Sequence, residues 1–216
     1  LGHLSDAVER RGHSVFRVDW NDKLRADLHA DISKLSADDL IELCGGVPDV
    51  IWASPDCTTY SVAAIYHHRS KINDVSVPKT EYAAYCDYVN MHLWALIKEL
   101  LQRGTKIFYV ENPRGGYRKM HFIPEWATRH TVTYCQYGAP NMKPTDIFTN
   151  HPSPEFLETC NNGDPCHDSA RRGSKGGTQG VGFWNRKHGA PTRALARGTM
   201  PQRLCEHIAT ISEAAL

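Results

Sequence analysis

Five short apolar runs, at residues 14–20, 49–53, 106–110, 131–134 and 146–148, are rich in β-branched and aromatic side chains and bounded by turn residues, which predicts buried strands. Between and around them lie helical stretches at 4–11, 36–44 and 81–103. In the last of these Val89, Leu93, Leu96, Ile97 and Leu100 recur at helical spacing. Strand alternating with helix predicts an α/β sheet with helices on both faces. Open sheets of this kind bind ligands past the carboxyl ends of their strands, so the residues following these runs are where chemistry is expected.

The chain has 216 residues, enough for one domain with a real core and a small subdomain. A formal net charge of +1 means that any nucleic-acid surface must come from local clustering. Seven scattered cysteines, with no secretory leader and no apolar run of membrane-spanning length, predict reduced thiols in a cytosolic compartment and no membrane partner. Leu1-Gly2-His3-Leu4-Ser5 reads as a turn and helix that should follow a first strand, so the chain is expected to begin inside its first motif. Composition changes after Asn150: His151-Pro152-Ser153-Pro154 breaks the pattern, and residues 161–182 are rich in Gly, Asn, Asp and Ser. From Cys160 onward eight Lys/Arg face four Asp/Glu, so the basic excess is local to this end. The expected organisation is a catalytic and cofactor domain at 1–150, a small basic region at 151–197, and a helix at 198–216 that packs Leu204, Ile208 and Ile211 back on the sheet.

Cys57 follows the Val50-Ile51-Trp52-Ala53 run in a polar Pro55-Asp56-Cys57-Thr58-Thr59-Tyr60-Ser61 setting, which favours a working thiol, whereas Cys44, Cys86 and Cys205 read as structural. Glu111 follows Ile107-Phe108-Tyr109-Val110 and is expected at the same edge of the sheet. Desolvation by a bound ring would raise its pKa and let it hold a proton. A thiol nucleophile beside a carboxylic acid is what attack on a pyrimidine ring requires.

Pro-Asp-Cys-x-x-Tyr-Ser at 55–61, Val-Glu-Asn-Pro at 110–113 and Tyr-Gly-Ala-Pro at 137–140 together resemble the ordered motifs of the DNA cytosine-5 methyltransferases, especially compact phage and prophage forms. The resemblance covers most of residues 1–150. It implies a Rossmann-like fold dependent on S-adenosylmethionine, with a minimal target-recognition region. It implies that Cys57 as thiolate adds to C6 of a flipped-out cytosine in duplex DNA, that Glu111 stabilises the adduct at N3 and the exocyclic amine, and that C5 then receives the methyl group. Asn112 would orient the Cys57 loop, and Ser61 would position that loop or meet a phosphate. Cofactor contacts are implied for Leu1, Gly2 and Leu4 at the end of a glycine turn, Asp19 on the ribose, Trp20 against adenine, Asp31 and Ile32 at the adenine amino group, and Pro55. The enzyme is expected to act as a monomer in a bacterial or phage-infected cytoplasm.

Departures from the family pattern fall at defined positions. Asp56 replaces a proline and would raise the Cys57 thiol pKa. Lys143 and Thr145 stand where two arginines are usual, Lys143 keeping the charge without the bidentate fork. Near the end, Arg197-Gly198-Thr199-Met200-Pro201 replaces a Gly-Asn-x-Val-Pro segment that returns to the cofactor, so Arg197 and Thr199 join the cofactor set. Arg197 also admits an acidic donor, carboxy-S-adenosylmethionine. Residues 62–78, with His67, Arg69 and Lys71, occupy the place of a mobile catalytic loop closing over phosphates. Arg171, Arg172, Lys175, Arg186 and Lys187 would supply further phosphate contacts, with Gln179 or Asn185 as base readers. An RNA cytosine substrate and an inactive nucleic-acid-binding module are the alternatives. No metal is expected: Cys160, Cys166 and His167 lie close together, but the spacing is unlike a Cys-x-x-Cys pair, and a fourth ligand would have to come from His151, Cys135 or His188.

Overall fold

A computed structural model describes residues 3–73, 75–167 and 199–216. Its helices are α1 (His3–Arg10), α2 (Ala37–Cys44), α3 (Ile65–His68), α4 (Glu81–Arg103) and α5 (Gln202–Ala214). Its strands are β1 (Val18–Asp19), β2 (Leu28–His29), β3 (Val50–Ala53), β4 (Arg69–Ile72), β5 (Val75–Pro78), β6 (Ile107–Pro113), β7 (Thr128–Thr133) and β8 (Pro144–Thr149). The strands form a parallel β1–β2 pair, a four-stranded sheet of order β3-β6-β8-β7 and a β4–β5 pair. Among the described residues no helix is long and apolar enough to cross a membrane.

The chain forms two compact units. One comprises Leu1–Val15, Thr131–Thr145 and Ser153–Ala215; the other comprises Phe16–His130 and Asp146–Pro152, with Leu216. The segment at 1–15 groups with the C-terminal helix. There α1 packs on α5, Ala7 meeting a face where Leu204, Cys205, Ile208 and Ala209 are buried. Arg11 pairs with Glu213 at 2.6 Å beside this contact, and half-exposed pairs of this sort contribute little beyond orientation.

In the other unit α4 is the organising element. Thr80 caps its N-terminus by accepting from Ala83 N at 3.2 Å, and Glu81 and Arg103 lie at the ends that suit their charges. One side of α4 buries Leu93, Trp94 and Ile97 with Phe108 and Val110 of β6, Tyr117, Met120 and Phe148. Leu96 and Leu100 pack separately with Ala37, Leu40 and Ile41 around α2. This two-sided burial explains why the helix runs unbroken for 23 residues. As the link between parallel neighbours β3 and β6, α4 makes a βαβ crossover.

The run expected as a strand over 14–20 contributes only Val18–Asp19 to a ladder, pairing with Leu28 and His29. Within residues 62–78, expected as a mobile loop, the described residues include α3 and an antiparallel pair of strands with Arg69 opposite Pro78 and Ile72 opposite Val75. Asn73 turns this hairpin in the left-handed region (φ 47°), a conformation asparagine tolerates.

Candidate active site

The parallel register sets the site. Ala53 of β3 is opposite Val110 of β6, so the Pro55-Asp56-Cys57 segment and the Glu111-Asn112 pair leave the sheet at the same carboxyl edge. The β6 strand continues through Pro113, which makes Glu111 and Asn112 its last turns of pleat: Glu111 is half-buried and Asn112 only 1% exposed. Asn112 Nδ2 donates to Pro55 O at 3.2 Å, which ties the strand to the segment carrying Cys57. Asn112 Oδ1 is buried and accepts no hydrogen bond among the described residues. Cys57 is half-buried, and its carbonyl accepts from Tyr60 N at 3.1 Å and Ser61 N at 2.9 Å, so the residue starts a tight turn. Ser61 continues that turn: its carbonyl accepts from Ala64 N and Ile65 N, starting α3.

Asp56 has a structural use. Its Oδ1 accepts from Thr58 N at 2.6 Å and its Oδ2 from Tyr82 OH at 2.7 Å, fastening the Cys57 turn to α4. Burial and this bond to Asp56 both push the Tyr82 phenol up, so it stays a donor throughout the physiological range.

Two glycines that the sequence analysis passed over close the site from the other side. Gly116 N donates to Tyr60 O at 2.7 Å, and a Cβ on Gly115 would lie 2.7 Å from that same carbonyl oxygen. The backbone after Glu111-Asn112-Pro113 therefore touches the backbone after Cys57, and only glycine permits it. Gly115→Ala is expected to lower stability by about 1–3 kcal/mol through this overpacking. A urea titration checks it, and an unchanged midpoint would mean that the two loops are not in contact.

Arg69 does not face phosphate. It is 5% exposed, and its guanidinium donates to Asp87 from both terminal nitrogens at 3.0 and 2.6 Å, to Thr59 O at 3.0 Å and to Thr59 Oγ1 at 3.1 Å. It also lies 4.2 Å over the Tyr60 ring. The network runs on through Tyr60 OH to Asp87 at 2.7 Å, Asn90 Nδ2 to Tyr60 OH at 3.1 Å and Tyr117 OH to Asn90 Oδ1 at 2.9 Å. The expectation that charge in 62–78 is surface charge fails here because α4 presents Asp87 and Asn90 inward, and a buried carboxylate needs a paired cation. The polar pair Asp87 and Asn90 within an otherwise apolar helical face was the available signal. His67 and Lys71 are exposed.

Among the expected cofactor residues in this unit, Asp19, Trp20 and Asp31 lie at or just past the carboxyl ends of β1 and β2. Asp19 Oδ1 accepts from Asn21 N at 2.8 Å, fixing the carboxylate at the strand end, and Trp20 beside it is 73% exposed. Asp31, two residues past β2, caps the short 3₁₀ helix Ile32–Lys34 by accepting from Ser33 N at 2.9 Å and Ser33 Oγ at 2.8 Å, and also accepts from Tyr85 OH. Burial raises the Asp31 carboxyl, but the Tyr85 and Ser33 hydrogen bonds outweigh it and hold it below the usual carboxylate range. Ile32 is half-buried against the α2–α4 cluster, and Pro55 is half-buried. The carboxylates of Asp19 and Asp31 and the exposed Trp20 indole thus stand at or just past the ends of the paired strands β1 and β2.

Leu4, Lys143 and Thr199 belong to the other unit. Leu4 is half-buried on α1, and Thr199 is half-buried. Lys143, with φ 29°, sets its ammonium 4.4 Å over the Tyr134 ring. Leu1, Gly2, Arg171, Arg172, Lys175, Gln179, Asn185, Arg186, Lys187, His188 and Arg197 lie outside the described residues.

Three residues named above as candidate metal ligands, Cys160, Cys166 and His167, gather with a fourth. Cys135, Cys160, Cys166 and His167 bring their ligand atoms within 4.8 Å of one another. Cys135 is the fourth member, delivered by the 3₁₀ turn Tyr134–Tyr137, and spacing within 160–167 could not show it. His151, another of the candidates, instead stacks on the Tyr109 ring. A cavity of about 310 Å³ between α4 and residues 121–126, lined by Trp94, Phe122 and Trp126 among others, contains none of the expected site residues.

No family model matches the chain, and no curated protein matches it. Solved structures similar to it include three methyltransferases. A DNA modification methyltransferase encoded within an E. coli prophage is 18% identical, with a TM-score of 0.46 over 68% of this chain and 42% of that one. The S. pombe Dnmt2 methyltransferase is 13% identical, with a TM-score of 0.45 over 68% and 45%. The Entamoeba histolytica methyltransferase EhMeth is 15% identical, with a TM-score of 0.48 over 73% and 52%. The chain thus spans about half the length of these structures, or less.

Proposed function

We propose that this chain transfers a methyl group from S-adenosylmethionine to C5 of cytosine in DNA, through a Rossmann-like domain. The observation that carries the reading is the joining of Cys57 and Glu111 at one sheet edge by the β3–β6 register and the Asn112-to-Pro55 hydrogen bond. Asp19, Trp20 and Asp31 would hold the cofactor, with its ribose at Asp19 and its adenine at Trp20. When bound there, the cofactor supplies an electrophilic methyl group on sulfur.

The protein's own task is to make C5 of cytosine a nucleophile, which an aromatic pyrimidine is not. Cys57 as thiolate forms a bond to C6, and the ring electrons move toward N3, where Glu111 donates a proton or hydrogen bond. The neutralised ring then presents C5 as an enamine carbon. After substitution at C5, loss of the C5 proton to a base returns the electron pair, breaks the bond to Cys57 and restores aromaticity. A stacked base offers no room for attack on C6, so the cytosine must leave the duplex. Exposed His67 and Lys71, on α3 and β4, are placed in sequence to meet the strand from which it leaves.

Nucleoside mass spectrometry after incubation with duplex DNA or tRNA, and with S-adenosylmethionine or its carboxy derivative, tests this reading. 5-Methylcytosine in DNA is expected. Product only in tRNA would move the substrate to RNA, a carboxymethylated base would change the donor, and no modified cytosine in any arm would overturn the proposal.

A further inference from the structure

The unit that contains Thr131–Thr145 and Ser153–Ala215 holds a cluster of side chains to which the proposed chemistry gives no role. Cys135 Sγ lies 3.1 Å from Cys160 Sγ and 3.7 Å from Cys166 Sγ. His167 Nδ1 lies 3.7 Å from Cys160 Sγ and 3.3 Å from Cys166 Sγ. All four ligand atoms fall within 4.8 Å of one another, and Cys135 and Cys160 are buried. Tetrahedral zinc, with metal–sulfur bonds of about 2.3 Å and metal–nitrogen bonds of about 2.0 Å, separates sulfurs by roughly 3.8 Å and sulfur from nitrogen by roughly 3.5 Å. The two sulfur–nitrogen distances bracket the second value, and the Cys135–Cys166 distance matches the first, with Cys135 and Cys160 closer together.

We propose that Cys135, Cys160, Cys166 and His167 bind one structural zinc ion, which fastens residues 160–167 to the turn that follows β7. Three thiolates and one imidazole complete a tetrahedral set, leaving no open position for a reacting water, so the metal is structural. The surroundings are those of a built site. Cys160 N donates to Thr133 Oγ1 at 3.2 Å, and Met142 packs on Cys135 and Cys160. Gln136 Nε2 is 3.6 Å from Cys166 Sγ, a donor of the kind that orients a ligating thiolate. Between Cys160 and Cys166 the chain turns back through Asn161 N donating to Asp164 Oδ2 at 2.6 Å and Asp164 N donating to Asn161 O at 3.2 Å. Few apolar side chains are available in 158–167 to hold that segment down, and a metal supplies the missing anchor. In sequence the segment leads directly into the basic stretch with Arg171, Arg172 and Lys175, so the ion would fix the point from which that stretch departs.

The site stands or falls independently of the proposed methyl transfer, because its test reads metal and not activity. Protein purified under reducing conditions is expected to carry about one zinc per chain by elemental analysis. Cobalt(II) put in its place should give the visible bands and thiolate charge-transfer absorption of a tetrahedral site. Cys160→Ser/Cys166→Ser should lower bound zinc at least tenfold, by loss of two ligands, whereas Cys44→Ser should retain it. Should the double variant fail to fold, His167→Cys supplies the second measurement: it is expected to keep the metal and shift the cobalt spectrum toward four thiolates. Substoichiometric zinc after reconstitution with zinc salt, or a Cys135–Cys160 disulfide in place of metal, would overturn the proposal.

Discussion

Cys57→Ala is expected to reduce methyl transfer by at least about 10⁴-fold, because a residue that forms the covalent bond cannot be replaced by binding alone. The side chain is half-buried in a turn held by backbone hydrogen bonds, so stability should change little. Transfer of labelled methyl to duplex DNA measures the loss. A duplex containing 5-fluorocytosine separates the roles: it should trap wild-type protein covalently at Cys57 and leave the alanine variant bound but not cross-linked. Trapping through another cysteine, or activity kept within tenfold, would remove Cys57 from the mechanism. Glu111→Gln should retain cofactor binding and lose rate, since the amide can donate to a ring nitrogen but cannot pass it a proton.

The second large effect is expected at Arg69. Replacing it with methionine leaves the Asp87 carboxylate buried without its cation, which costs about 3–5 kcal/mol in comparable pairs. For a chain of this size that is a fall in Tm of roughly 6–20 °C. Arg69→Met/Asp87→Leu should recover much of the loss, because neither charge is then stranded. A phosphate-contacting arginine would behave differently, weakening DNA binding and lowering its salt dependence while leaving Tm in place. Thermal denaturation beside a salt titration of DNA binding distinguishes the two. Because Thr59 and Tyr60 belong to the same network, the variant should also loosen the turn that carries Cys57. Displacement of a reacting group by about 1 Å costs on the order of 100-fold in rate, so Gly115→Ala, which pushes on the same Tyr60 carbonyl, should share that kinetic defect.

Much of this organisation could be read along the chain because it is local. The runs at 49–53 and 106–110 are β-branched and aromatic, α4 repeats its apolar residues at helical spacing, and the reactive residues follow the strand ends directly. Adjacency along the chain was enough to place Cys57 after β3 and Glu111 at the end of β6. The hairpin at 69–78 escaped notice because its residues alternate weakly and its turn residue, Asn73, is not followed by glycine.

What the sequence by itself determined is the strands β3, β6, β7 and β8 and the helices α1, α2, α4 and α5, with the thiol and acid at two strand ends, since periodicity and turn chemistry act over a few residues. Tertiary structure alone decided which charged side chains turn inward and which distant residues meet. Arg69 became an internal partner of Asp87, Gly115 and Gly116 came against Tyr60, and Cys135 joined Cys160, Cys166 and His167. Each of these contacts joins residues between 18 and 56 positions apart, as the numbering of the pairs shows. Burial, desolvation and ligand geometry depend on what packs across such separations, and no local pattern encodes it.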